Sequence, residues 1–97
     1  MKRMNQSQLF DEIWEERPHV SELSGLPLLP KGHFQWHWQF VHVLNKGTYT
    51  RWKMNKENII LALPDEHKVQ ERYPKFQELH DRLKAKYNEE NRIQTFK

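Results

Sequence analysis

Between the polar residues Asp11, Glu12, Glu15 and Glu16, the apolar positions Leu9, Phe10, Ile13 and Trp14 recur one turn apart. That spacing predicts an amphipathic helix over residues 6–16. Pro18 ends it, because a proline ring disfavours helical backbone in the residue before it. The segment 21–32 mixes two Gly and two Pro with leucines, which predicts a packed, turn-rich stretch and not a linker. From His33 to Leu44 the chain alternates: Phe34, Trp36, Trp38, Phe40, His42 and Leu44 form one row, and His33, Gln35, His37, Gln39, Val41 and Val43 the other. A period of two predicts a strand or hairpin with one buried face and places His42 in the apolar row.

Asn45-Lys46-Gly47-Thr48 is a turn, and Thr48 to Glu57 forms a basic loop with interleaved aromatics, carrying Tyr49, Arg51, Trp52, Lys53 and Lys56. After Asn58, the run Ile59-Ile60-Leu61-Ala62-Leu63 predicts a short buried strand. Pro64-Asp65-Glu66 then opens a helix, with proline at its first position and acids where the helix dipole favours them. His67 falls in that first turn. A further break at Tyr73-Pro74 starts a last helix, in which Phe76, Leu79, Leu83 and Tyr87 share a face and the mixed charges mark a packing role. The tail beyond about Asn91 is expected to fray. The elements predict an α+β fold: one small single domain over residues 1–97, with a β-β-α unit flanked by N- and C-terminal helices.

Composition narrows the function classes. The chain has 97 residues, Lys+Arg 16 against Asp+Glu 13, a net charge of +3 and no cysteine. The expectation is a mildly basic, soluble domain. No apolar run is long enough to span a membrane, and Met1-Lys2-Arg3-Met4 has no apolar stretch behind it, so no membrane and a cytoplasmic location are expected. Without cysteine there is neither a disulfide nor a thiolate zinc site. His33 and His37 have the i, i+4 spacing of a helical metal pair, but the alternation assigns them to the polar side of a strand, as surface residues.

The remaining chemistry lies in a strand histidine, an asparagine ahead of the second strand, and a histidine opening the next helix: His42, Asn58 and His67. A neutral imidazole can take a proton from water, and a divalent ion can neutralise charge growing on a phosphate. Beside them, Lys46, Tyr49, Arg51, Lys53 and Lys56 are the candidate nucleic-acid contacts.

In these parts the chain resembles the HNH, or His-Me finger, endonucleases, specifically small phage and bacterial members. The resemblance runs from about Trp14 to His67, through Trp14-Glu15-Glu16-Arg17-Pro18-His19, Ser21-Glu22-Leu23-Ser24-Gly25, Phe40-Val41-His42-Val43-Leu44-Asn45-Lys46-Gly47-Thr48-Tyr49 and Glu57-Asn58-Ile59-Ile60-Leu61-Ala62-Leu63-Pro64-Asp65-Glu66-His67. It implies His42 as general base, Asn58 as the brace of the loop over it and His67 as ligand of a divalent metal, Mg2+ or Mn2+.

Two departures accompany the resemblance. Many members hold the finger together with zinc on two Cys-x-x-Cys pairs; here the corresponding positions are Ser21, Ser24, Leu63 and Glu66, so no structural zinc is expected. Packing must replace it, and the aromatic set Trp36, Trp38, Phe40 and Trp52 is the expected substitute. The family also places Asp or His directly before the strand histidine as a second ligand, where this chain has Val41; His37, Gln39 and Asp65 are the candidates to substitute. Two function classes follow. One is a metal-dependent DNA endonuclease or nickase; the other is a catalytically degenerate finger that binds DNA or a host nucleic-acid-processing protein.

Overall fold

The computed structural model describes residues 5–95, with side chains described through Glu90. The charged N-terminal start at Met1–Met4 and the last two residues of the tail lie outside the described residues. Helix α1 (Gln6–Glu16) begins at Asn5, whose Oδ1 accepts the Gln8 N–H at 2.8 Å while Gln8 Oε1 accepts the Asn5 N–H at 3.0 Å. This reciprocal cap satisfies two helix-end donors and accounts for the sharp start. Arg17, extended ahead of Pro18, ends the helix. Strands β1 (Phe40–His42) and β2 (Ile59–Leu61) pair antiparallel, with Phe40 opposite Leu61, Val41 opposite Ile60 and His42 opposite Ile59. Helix α2 (Pro64–Lys68) follows at once, and α3 (Pro74–Thr95) closes the chain, running past the point where fraying is expected.

The two strands form the middle layer between two cores. Phe40, Ile59 and Leu61 pack with Leu9, Phe10, Ile13, Trp14 and Trp36 on the α1 side. Val41 and Ile60, from the opposite pleat face, pack with Val43, Leu44, Trp52, Ala62, Phe76, Leu83 and Tyr87 on the α3 side. Because side chains alternate across a strand, His42 shares the α1 face with Phe40. Its place in that row agrees with the expected alternation.

The long strand expected over 34–44 is not there. Residues Trp36–Gln39 form a 3-10 turn, and only the three residues of β1 are extended. The buried Gln39 decides this locally: its Oε1 accepts the Leu29 N–H at 2.6 Å, and its Nε2 donates to the Leu29 carbonyl at 3.1 Å. A side-chain amide thus pairs with backbone as a strand neighbour would, and the turn buries Trp36 while exposing Trp38. The expected aromatic substitute for zinc is corrected accordingly. Trp36 and Phe40 belong to one core, Trp52 to the other, and Trp38 to neither.

What ties the positions 21, 24, 63 and 66 together is polar. The chain turns back on itself through a Val20–Pro27 bridge, with the Ser21 N–H on the Leu26 carbonyl at 2.8 Å and Gly25 at φ 81. That positive φ suits glycine. From this turn the Ser21 hydroxyl donates to Glu66 Oε1 at 2.5 Å, and the Ser24 hydroxyl donates to Glu66 Oε2. Oε1 also accepts the Leu63 N–H at 2.9 Å. One nearly buried carboxylate therefore joins the turn, the end of the sheet and α2, in the manner of a small polar clasp.

Candidate active site

His42 sits at the end of β1, half-buried, with Nε2 2.8 Å from the Lys53 carbonyl. A carbonyl only accepts, so Nε2 carries the proton and the neutral ring keeps its lone pair on Nδ1. Burial lowers its pKa from the ordinary 6.5, the Lys53 carbonyl opposes this, and the charges of Lys46 and His67 push it down further. The imidazole is thus neutral at pH 7, the form that accepts a proton.

Asn58 is fully buried directly before β2. Its Oδ1 accepts the Leu44 N–H at 2.7 Å, and its Nδ2 donates to the Leu44 carbonyl at 3.1 Å and to the Trp52 carbonyl at 3.4 Å. Its own carbonyl accepts the Val43 N–H at 2.8 Å. Both ends of the loop that holds His42 are therefore tied to one side chain.

His67, on α2, is exposed and lines a cleft of about 670 Å³ together with His42, His37, Trp38, Lys46 and Gln70. A smaller neighbouring cleft of about 410 Å³ shares His42 and Lys46 and adds Lys53. His42 thus forms part of the wall of both. His37, expected on the polar side of a strand and a candidate to replace the ligand missing at Val41, and Gln70, which no sequence signal marked, both belong to the first cleft. The Gln70 Oε1 is buried without a hydrogen-bond partner. Asp65 lines a different cleft with Leu26, Leu29 and Tyr73, and Gln39 is committed to Leu29. Val41 is buried on the α3 face, opposite His42.

The basic loop is divided by the fold. Lys46 and Lys53 are exposed at the clefts. Lys56 instead pairs with Glu12 and, at 2.7 Å, with Glu16, which pins the loop to α1 and raises the lysine pKa. Arg51 pairs with Glu90 at 3.1 Å and lies over the Tyr87 ring, 5.3 Å from its centre. Tyr49 packs edge-on against the same ring at 4.8 Å. Lys46 and Lys53 are thereby the residues of the expected nucleic-acid set that stand beside His42.

Among the described residues, no three His, Cys, Asp or Glu side chains converge as a metal-holding group, and no carboxylate lines the His42 cleft. The imidazoles of His67 and His37 line that cleft beside His42, and the Gln70 amide oxygen is buried next to it without a partner. So sparse a donor set suits an ion bound chiefly by water and a phosphate oxygen, with the protein supplying one or two ligands. Comparison with protein-family models, curated proteins and solved structures finds no match to this chain. No helix among the described residues is long and apolar enough to cross a membrane.

Proposed function

We propose that the unit from β1 through β2 to α2 is a His-Me finger and that the chain is a metal-dependent DNA endonuclease or nickase acting in the cytoplasm. The observation that carries this reading is the His42 imidazole, held through Nε2 on the Lys53 carbonyl in a cleft shared with Lys46 and His67. Two further features support it. Asn58 clamps the loop as the family resemblance implies, and the positions 21, 24, 63 and 66 are joined to one another although none is a thiolate.

His42 Nδ1 takes a proton from water as the water oxygen bonds to phosphorus, and the P–O ester bond opposite breaks, its oxygen taking a proton from solvent and leaving as a sugar hydroxyl. Lys46 and Lys53 hold the phosphate by charge. His67 would hold a Mg2+ or Mn2+ ion, which when bound supplies positive charge to the developing phosphorane and leaving oxygen. Asn58 positions His42 and does not touch the substrate.

The test is cleavage of supercoiled plasmid with Mg2+, Mn2+ or EDTA. Cutting should require the ion and should fall roughly 10²- to 10⁴-fold in His42→Ala, whose fold is checked by its melting curve. The absence of carboxylates from the cleft favours a second reading, in which the finger is degenerate and binds DNA or a host nucleic-acid-processing protein. DNA binding without cutting under every ion would select it.

A further inference from the structure

Two large aromatic side chains are displayed to solvent beside the His42 cleft: Trp38, which lines it, and Phe34, which touches Trp38. Phe34 is 78% exposed and Trp38 is 56% exposed, and their rings meet edge to face with centroids 6.3 Å apart. Trp38 also lines the cleft with His42, Lys46 and His67, and His33 stacks on Phe34 at 4.8 Å. This display is built and held. Trp36 and Phe40, on either side of Trp38 in sequence, are anchored in the α1 core, and the turn between them is fixed by the buried Gln39 on Leu29. Leaving a Trp and a Phe face in water gives up burial that neighbouring positions achieve, so the pair has value to something that covers it.

The surroundings say what that is. The cleft and its neighbour present Lys46 and Lys53 and no carboxylate among the described residues, so the occupant is anionic as well as flat and apolar. A nucleotide strand combines these properties. In a duplex, the base faces are stacked on each other and out of reach; only unpaired bases can lie on an aromatic ring.

We infer that Phe34 and Trp38 form a stacking platform for unpaired bases, so that the substrate is a single strand, or a single-stranded segment, whose backbone passes Lys46 and His42. This inference rests on the nuclease reading for the choice of substrate, but the platform itself is tested by binding alone.

The probe is fluorescein-labelled dT20, compared with a 20-base-pair duplex by fluorescence anisotropy in EDTA, where no metal-dependent cutting occurs. The wild-type chain should bind dT20 at least tenfold tighter than the duplex at equal salt. Trp38→Ala should weaken dT20 binding roughly tenfold and Phe34→Ala with Trp38→Ala further, as expected for one and two lost stacking partners. Trp38→Phe should restore most of the loss, and duplex affinity should not move. Because both rings are exposed, the variants should melt with the wild type.

Equal affinity for single strand and duplex, unchanged dT20 affinity in the double alanine variant, or binding to neither probe each overturns the platform. The last result would point to a protein as the occupant. Failure of the nuclease reading looks different: dT20 binding that depends on Trp38, with neither dT20 nor plasmid cut under Mg2+ or Mn2+, supports the platform and removes the enzyme. Plasmid cutting lost in His42→Ala, without any single-strand preference, does the reverse.

Discussion

Asn58 and Leu44 exchange two hydrogen bonds, the Leu44 N–H to Oδ1 at 2.7 Å and Nδ2 to the Leu44 carbonyl at 3.1 Å, so that a side-chain amide continues the ladder where the strands part. Asn58→Ala leaves two backbone groups of a fully buried residue without partners, at about 1–3 kcal/mol each. The variant should melt well below the wild type, by roughly 4–8 °C per kcal/mol in a domain of this size. An unchanged midpoint would show that the clamp is not needed for folding.

Glu66 should behave as the clasp of the molecule. Burial alone would raise its carboxyl pKa above the usual 4.5, but hydrogen bonds from Ser21, Ser24 and the Leu63 N–H outweigh it and hold the pKa lower. As pH falls, the unfolded chain takes up this proton first, so the contribution is complete above about pH 4.5 and fades as pH drops through the folded-state value. Glu66→Ala should destabilise at pH 7, on the order of 2–4 kcal/mol for three lost bonds. Glu66→Gln should flatten the acid limb of the stability curve measured by urea unfolding.

The acid limb of activity should lie below pH 6.5. His42 is disfavoured as a cation by burial, with Lys46 and His67 adding to the effect and the Lys53 carbonyl opposing it. The imidazole is therefore more than half neutral at the pH where an ordinary histidine is half protonated, and on the proposed reading the midpoint of the acid limb falls below 6.5. Lys46→Ala removes a repelling charge and should move the limb toward higher pH. An inflection above 6.5 in the wild type would contradict the assignment.

Lys46→Ala with Lys53→Ala should weaken nucleic-acid binding across sequences and reduce the dependence of log K on log salt by about two phosphate contacts. Lys56→Ala should leave that slope unchanged, since its ammonium is committed to Glu12 and Glu16. Titration at several salt concentrations distinguishes the two.

Val41→Asp restores the acidic residue that the family resemblance puts before the strand histidine, yet the side chain lies fully buried in the α3 core. A carboxylate there has no partner to offset its loss of water, so the variant should lose several kcal/mol and gain no metal affinity. Calorimetry with and without Mn2+ measures both.

Helix α1 is legible from sequence because the apolar spacing and Pro18 mark its extent, while its cap at Asn5 shows only in the structure. The starts of α2 and α3 at Pro64 and Pro74 are equally local signals. Residues 34–39 mislead because their alternation arises without a strand: one side chain, Gln39, finds Leu29 ten residues away and converts the segment into a turn. Order and spacing name His42 and His67, which the fold brings to one cleft, and Asn58, which it buries ahead of β2, whereas the division of the basic loop depends on Glu12, Glu16 and Glu90, which are remote in sequence. The role of Ser21, Ser24 and Glu66 as hydrogen-bonding partners is likewise a long-range fact.

A two-stranded sheet of Ile-Ile-Leu against Phe-Val-His would ordinarily invite a third strand from another molecule. The outward backbone groups of β2 are all occupied. The Ile59 N–H reaches the Lys56 carbonyl, the Ile59 carbonyl takes Arg17 at 2.5 Å, the Leu61 N–H takes the Glu22 carboxylate at 2.7 Å, and the Leu61 carbonyl takes the Glu22 N–H at 2.7 Å. Arg17 and Glu22 also pair with each other at 2.9 Å. An ion pair thus stands where a neighbouring chain would add, and this apolar strand is kept from templating its own copies along that edge.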